Sequence, residues 1–257
     1  MAKAGGWIAG SPTTINALVK NLIFMKKSVI ILSSLLSPQA LLACVTCNKG
    51  LQEQIKGSLN FQHLSPIIII VLLIALITVT ITKIITVAYR KKLKAHSRLL
   101  DPAPILSAGI ILGVGLGGFL DGILLHQILQ WHEMLSNEID TITVNGKSVN
   151  MFWDGLFHMI CLTTVCIGIY LLWKALLRPG ASSSAKLAWS GLISGWGIFN
   201  ITEGLIDHHL FKLHNVRETV GNENFYNVLF IIYSCSLLFL GWLLYKSEMK
   251  KQNGNAD

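Results

Sequence analysis

Five apolar runs, each about 20 to 30 residues long, divide this sequence and constrain its fold more than any other feature. They are Ile67–Val87, a run from Pro102 to about Trp131, Met151–Leu176, Leu187–Ile206 and Phe225–Leu244. About 20 apolar residues span the hydrocarbon core of a bilayer as one α-helix. Lipid offers no partner for backbone N–H and C=O groups, so a helix must satisfy them internally. Composition agrees: 52% of residues are hydrophobic and 13% charged, where a soluble domain has about a quarter charged. The expected fold class is therefore all-α, a polytopic membrane protein whose first partner is the lipid bilayer. The net charge of +8 does not point to nucleic acid. Its Lys and Arg residues sit in short loops, where they set topology.

The loop charges agree on one orientation. Arg90, Lys91, Lys92 and Lys94 follow the first run, Lys174 and Arg178 close the third, and Lys246, Lys250 and Lys251 follow the fifth. These ends face the cytoplasm by the positive-inside rule. The loop 133–150 carries Glu133, Glu138 and Asp140 against Lys147, and it lies outside with the loop Asp207–Asn224. The expected location is the bacterial inner membrane, multi-pass, with polar residues gathered at the periplasmic face.

The N-terminal region reads differently. Lys26 and Lys27 follow Met25, then come the apolar Val29–Leu36 and Leu41-Leu42-Ala43 before Cys44. That order is a charged n-region, an h-region and a small residue before a cleavage point. Residues 1–43 are expected to be an extension plus signal peptide, with Met25 as the natural start. Residues 44–65 form a polar segment outside the membrane, and 66–89 a single transmembrane helix. Residues 104–246 form a four-helix membrane domain of two hairpins, 104–178 and 187–246. Cys44-Val-Thr-Cys47 is compatible with a disulfide, a thiol redox pair or a soft-metal site. Acylation of Cys44, as in a lipoprotein, would remove it as a ligand.

Within the membrane domain the chain repeats itself. Gly118–His132 reads G-F-L-D-G-I-L-L-H-Q-I-L-Q-W-H, and Asn200–His214 reads N-I-T-E-G-L-I-D-H-H-L-F-K-L-H. At one constant offset along the chain Asp121 falls on Glu203, Gly122 on Gly204, His126 on His208 and His132 on His214. At the same offset Gly109, Gly113 and Gly115 fall on Gly191, Gly195 and Gly197. The partner helices match less closely, Phe152-Trp153-Asp154 with Phe225-Tyr226-Asn227. The expectation is an internally duplicated four-helix bundle, its halves related by a pseudo-two-fold along the membrane normal. The glycine rows allow close helix contact.

Charged groups inside a bilayer are costly unless paired, protonated or bound to a cation. Asp121 is expected about 15 Å below Trp131, at about 1.5 Å per helical residue, with Glu203 at the matching depth. His126, His132, His158, His208, His209, Asp154 and Asp207 fall nearer the outer face and, with Asp121 and Glu203, are the candidate metal ligands. In a straight α-helix Asp121 and His126 lie roughly 140° apart, so no single helix makes a site. His126 and His208 are expected to meet across the pseudo-axis, with His158 joining them. Asp121 and Glu203 then orient the ligands from below or bind directly. His214 is expected to matter less, beyond the membrane. Such a His-carboxylate set suits copper, zinc or iron. The competing reading is a structural network in which the acids pair with buried His.

G-F-x-D-G-I-L-x-H-Q-x-L-Q-W-H, M-F-W-D-G-L-F-H and F-N-x-x-E-G-x-x-D-H-H resemble the bacterial membrane family catalogued as domain of unknown function 2243, over roughly Pro104 to Tyr245. The resemblance implies a four-helix integral membrane domain and brings no established activity. The Cys44–Cys47 segment with its single span resembles small periplasmic Cys-containing proteins found with haem–copper oxidases. Metal handling at the His-carboxylate set near the periplasmic face is the expected function, and the second resemblance implies copper delivery linked to respiratory oxidase assembly as its finer form. A membrane-embedded metalloenzyme and a proton or ion conduit are the alternatives.

Overall fold

The computed structural model describes residues 49–95, 100–218 and 220–254. Gln54–Asp257 forms one compact unit. The leader, Cys44 and Cys47 lie outside the described residues. Among those residues there are helices and no strand: α1 Lys49–Ser58, α2 Phe61–Ala95, α3 Ala103–Asp121, α4 Val144–Leu176, α5 Ala185–Glu203 and α6 Glu223–Gly254. Two π-helical segments, Gly122–Ile128 and Gly204–Leu210, continue α3 and α5.

The protein is an all-α polytopic membrane protein, and its exterior explains why. Leu72, Leu76, Ile167, Ile169, Ile232 and Phe239 stand exposed along α2, α4 and α6, as lipid-facing side chains do. Four helices, α2, α3 with its extension, α4 and α6, are long and apolar enough to cross a membrane. The fifth span expected at Leu187–Ile206 corresponds to α5, which falls short of that measure. Ser190, Asn200, Thr202 and Glu203 of α5 are all buried against protein, so this helix needs less apolar surface.

Helix starts follow local chemistry. The Asn60 side chain accepts the His63 N–H at 3.1 Å, and α2 begins at Phe61, ahead of Pro66. Thr143 caps α4 by accepting from Gly146 N, and Ser184 caps α5 by accepting from Leu187 N. Pro102 precedes α3, where its missing N–H costs nothing.

Contact between α3 and α5 is made backbone to backbone. A Cβ at Gly109 would meet the Ala188 carbonyl and the Gly191 Cα, and one at Gly191 would meet the Leu106 carbonyl and the Gly109 Cα. Gly113 faces the Leu192 carbonyl as Gly195 faces that of Ile110. Each of these contacts has a counterpart at one constant offset along the chain. Towards the outer helices, Gly115 lies against Cys161 and Val165 of α4, and Gly197 against Ser234 and Leu238 of α6. At the far end of α3, Tyr89, Ile105, Ala175, Leu187 and Met249 form an apolar cluster.

Candidate metal centre

The two π-helical segments shape the site. An i→i+5 turn carries residue i+5 back over residue i, where an α-turn would rotate it away. Asp121 and His126 are five apart, and the Asp121 Oδ2 lies 3.1 Å from the His126 Nε2. The wide angle between these two side chains expected for a straight α-helix therefore does not hold. Glu203 and His208 stand at the same spacing on the second segment.

Each segment then ends in a tight reversal. Leu129 N donates to Leu124 O at 2.8 Å and Trp131 N to Leu125 O at 2.9 Å. Phe211 N donates to Ile206 O at 2.8 Å and Leu213 N to Asp207 O at 2.9 Å. Gln130 and Lys212 adopt φ of 49° and 54° at the reversals, the left-handed conformation that ends many helices. The chain turns back, and the residues beyond it re-enter the bundle. His132 Nε2 comes to 4.0 Å from Asp121 Oδ2. The depth expected between Trp131 and Asp121 assumed a helix that runs on; this one stops at Ile128.

The same reversal corrects the reading of His214. It is 0% exposed, at the heart of the cluster, its ring centroid 4.5 Å from that of His132 and 4.9 Å from that of His208. Its correspondence with His132 was the signal that could have found it.

Two overlapping groups result, each with ligand atoms within 4.8 Å of one another: Asp121, His126, His132 and Glu203, and His132, Glu203, His208 and His214. All six residues are at most 5% exposed. Both oxygens of Asp121, Glu203 Oε2, His126 Nε2, His132 Nε2 and both nitrogens of His208 and His214 are buried without a hydrogen-bond partner. Buried polar atoms are rarely left so. Six residues with such convergent unpartnered atoms could hold a cation.

The surrounding groups orient the rings. His126 Nδ1 donates to Asp154 Oδ1 at 2.8 Å, which leaves Nε2 free to bind. Asp154 also accepts from Met134 N at 3.1 Å and Gln127 Nε2 at 3.2 Å. That is the carboxylate–histidine arrangement which fixes a ligating tautomer. His132 Nδ1 donates to the Val216 carbonyl at 2.8 Å, again freeing Nε2. In the second half Asn227 stands where Asp154 does, accepting from Val216 N at 2.9 Å, so His208 has no carboxylate behind it. Asp207 is buried, 3.9 Å from His214 Nε2. His158 sits against Phe119 and Gly122. His209 turns back to bond the Gly204 carbonyl at 2.6 Å. Neither joins the two groups.

Loop residues cover the cluster. Glu218 N donates to Trp131 O and Asn137 N to Leu213 O, each at 3.0 Å. Ser136 Oγ donates to the Glu218 carboxylate at 2.6 Å. Arg217 lies 4.9 Å from the Trp131 ring centre and 5.2 Å from that of Tyr226. Burial lowers the His132 pKa to about 4, with His126 adding to the effect. Burial holds His214 well below the ordinary imidazole range. Burial thus favours the neutral ring in both, the form a metal takes.

An apolar cavity of about 280 Å³ lies among α2, α3, α4 and α5. Ile70, Ile74, Val114 and Phe157 line it, and Glu203 and Asp207 bring carboxylates to it.

Apolar membrane-length helices around a buried His-carboxylate cluster define a multi-pass membrane protein with a candidate metal centre. The chain matches the family described as predicted membrane protein, domain of unknown function 2243, over residues 108–248, more than half its length, and belongs to it. No curated protein and no solved structure matches it significantly.

Proposed function

We propose that this protein is a bacterial inner-membrane protein that holds a transition-metal ion in the His-carboxylate cluster, near the periplasmic face. The observation that carries this reading is the convergence of unpartnered, buried donors from His126, His132, His208, His214, Asp121 and Glu203. Asp154 supports the His126 ring from behind. Nitrogen and carboxylate donors suit iron, zinc or Cu(II) better than Cu(I), which prefers sulfur.

Copper delivery linked to respiratory oxidase assembly is the finer reading. It rests on Cys44 and Cys47, outside the described residues, and a fully covered His-carboxylate set suits a resident ion better than one in transit. A membrane-embedded metalloenzyme is favoured by a specific observation: the apolar cavity brings a membrane-soluble molecule within reach of Glu203 and Asp207. A conduit draws less support, because the far end of α3 packs into the apolar cluster around Ile105 and Leu187.

Helix bounds, π-segments, left-handed residues and glycine contacts all recur at the offset of the sequence repeat, which supports an internal duplication with a pseudo-two-fold between α3 and α5. The loop charges support the periplasmic placement. Elemental analysis of the purified full chain tests the metal: protein that stays metal-free after incubation with iron, zinc and copper overturns the reading. Reporters fused after Gly146 and after Ala181 are expected to be periplasmic and cytoplasmic respectively, and the reverse result removes the periplasmic site.

A further inference from the structure

We propose that the cluster is a dinuclear centre, two cations held side by side with Glu203 between them; this rests on the metal-binding reading above. Donors on one transition-metal ion sit about 2.0–2.2 Å from it, so any two are at most about 4.4 Å apart. The six donor residues divide into two groups of four, and neither group holds both His126 and His208. Each group contains a complete set of one carboxylate and two imidazoles from one half of the bundle. Asp121, His126 and His132 come from the α3 side, and Glu203, His208 and His214 from the α5 side. A two-His, one-carboxylate set is a sufficient protein contribution to one ion and leaves coordination positions open. Two such sets make two ions.

The shared residues say how the ions meet. His132 has one free nitrogen, because Nδ1 is committed to the Val216 carbonyl, so it can bind one ion only. Glu203 belongs to both groups, and a carboxylate has two oxygens, so it can bridge. Paired metal ions bridged in this way stand about 3.5–4 Å apart. The spacing between the halves is set by the glycine contacts of α3 and α5.

Charge independently favours two ions. Asp121, Asp154, Glu203 and Asp207 are 5, 2, 4 and 3% exposed. Among the described residues the Lys and Arg ion pairs are Lys147 with Glu133 and Arg178 with Asp101, and none reaches these four acids. Four buried carboxylates inside a membrane are strongly unfavourable without positive charge. One divalent ion offsets two of them, and two ions offset all four. The cavity that meets Glu203 and Asp207 lies beside the bridge, so a small apolar molecule entering it would meet the Glu203 carboxylate.

The experiment uses the full chain purified in detergent and saturated separately with Fe(II), Mn(II), Zn(II) and Cu(II). Metal per chain is measured by elemental mass spectrometry against amino-acid analysis. With the preferred ion, two per chain are expected in the wild type. His126→Ala and His208→Ala should each retain one, and the double variant none. Electron paramagnetic resonance of the Mn(II)- or Cu(II)-loaded wild type should show a spin-coupled pair, a readout that needs no variant to fold. One ion per chain in the wild type would overturn the dinuclear proposal and leave the metal site standing. Two uncoupled ions that survive in the double variant would also overturn it, as surface binding. No ion with any metal would sink the metal-binding reading itself.

Discussion

Adding a single methyl group at the crossing of α3 and α5 should disturb both the bundle and the site it carries. A Cβ built at Gly109 lies 2.5 Å from the Ala188 carbonyl oxygen, and real Cβ atoms essentially never come within 3.0 Å of another atom. The helices must therefore open by about 0.5 Å for Gly109→Ala, with an overpacking cost of about 1–3 kcal/mol. At Gly113 and Gly195 the overlap is with the Leu192 and Ile110 carbonyls and is deeper. These atoms are backbone and cannot rotate away. Alanine regains up to about 1 kcal/mol of helix propensity, so a net loss of about 1–2 kcal/mol is expected for each variant. That corresponds to a melting temperature lower by about 2–8 °C. The site should lose more than stability. Asp121 and Glu203 ride on the two separated helices, and metal-ligand distances tolerate only about 0.2 Å. Metal affinity should fall about tenfold or more. Gly155→Ala is the control: nothing lies within 4 Å of its added Cβ, so melting should stay level or rise. Thermal melts in detergent and metal titration decide the matter together. Wild-type melting and wild-type affinity in Gly113→Ala and Gly195→Ala would refute the close-contact argument.

Asp154→Asn should weaken metal affinity by about 10–100-fold, the usual effect of losing the carboxylate behind a ligating His; unchanged affinity in titration would mean His126 is oriented by something else. Gln130→Gly and Lys212→Gly should be neutral or raise the melting temperature, because non-glycine residues in the left-handed region cost about 1–2 kcal/mol, whereas the Val variants should lower it; equal melting of the Gly and Val variants would show that the reversals are not strained. His132 has a pKa lowered to about 4 by burial, against about 6.5 unfolded. Its contribution to stability is full above about pH 6.5 and is lost as pH falls towards 4, by about 3 kcal/mol in all. The metal-free His132→Gln variant should therefore lose less stability between pH 7 and 5 than the metal-free wild type, and parallel melting curves would remove this account.

Residue order alone determined the class of this protein. Apolar runs of membrane length force helices wherever lipid is the solvent, and that holds whatever the helices pack against. The recurrence of Asp121, His126 and His132 in Glu203, His208 and His214 named most of the cluster before any contact was visible. What the sequence could not carry was the local helix type. Nothing in Gly122–Ile128 or Gly204–Leu210 distinguishes a π-turn from an α-turn by composition. The difference is a small change in hydrogen-bond partner that tertiary packing selects, yet it moves His126 onto Asp121. The left-handed residues are equally silent, since Gln130 and Lys212 are not the glycines that usually mark such turns. Helical geometry extrapolated past them placed His132 far from Asp121 and left His214 outside the site. Asp154, His158 and His209 were all expected among the ligands, because all three look alike as polar residues near the outer face. Only the packed bundle turns Asp154 towards His126, His209 towards its own backbone and His158 towards Phe119. Identity and spacing set which donors the chain possesses; the direction of each side chain comes from neighbours distant in sequence.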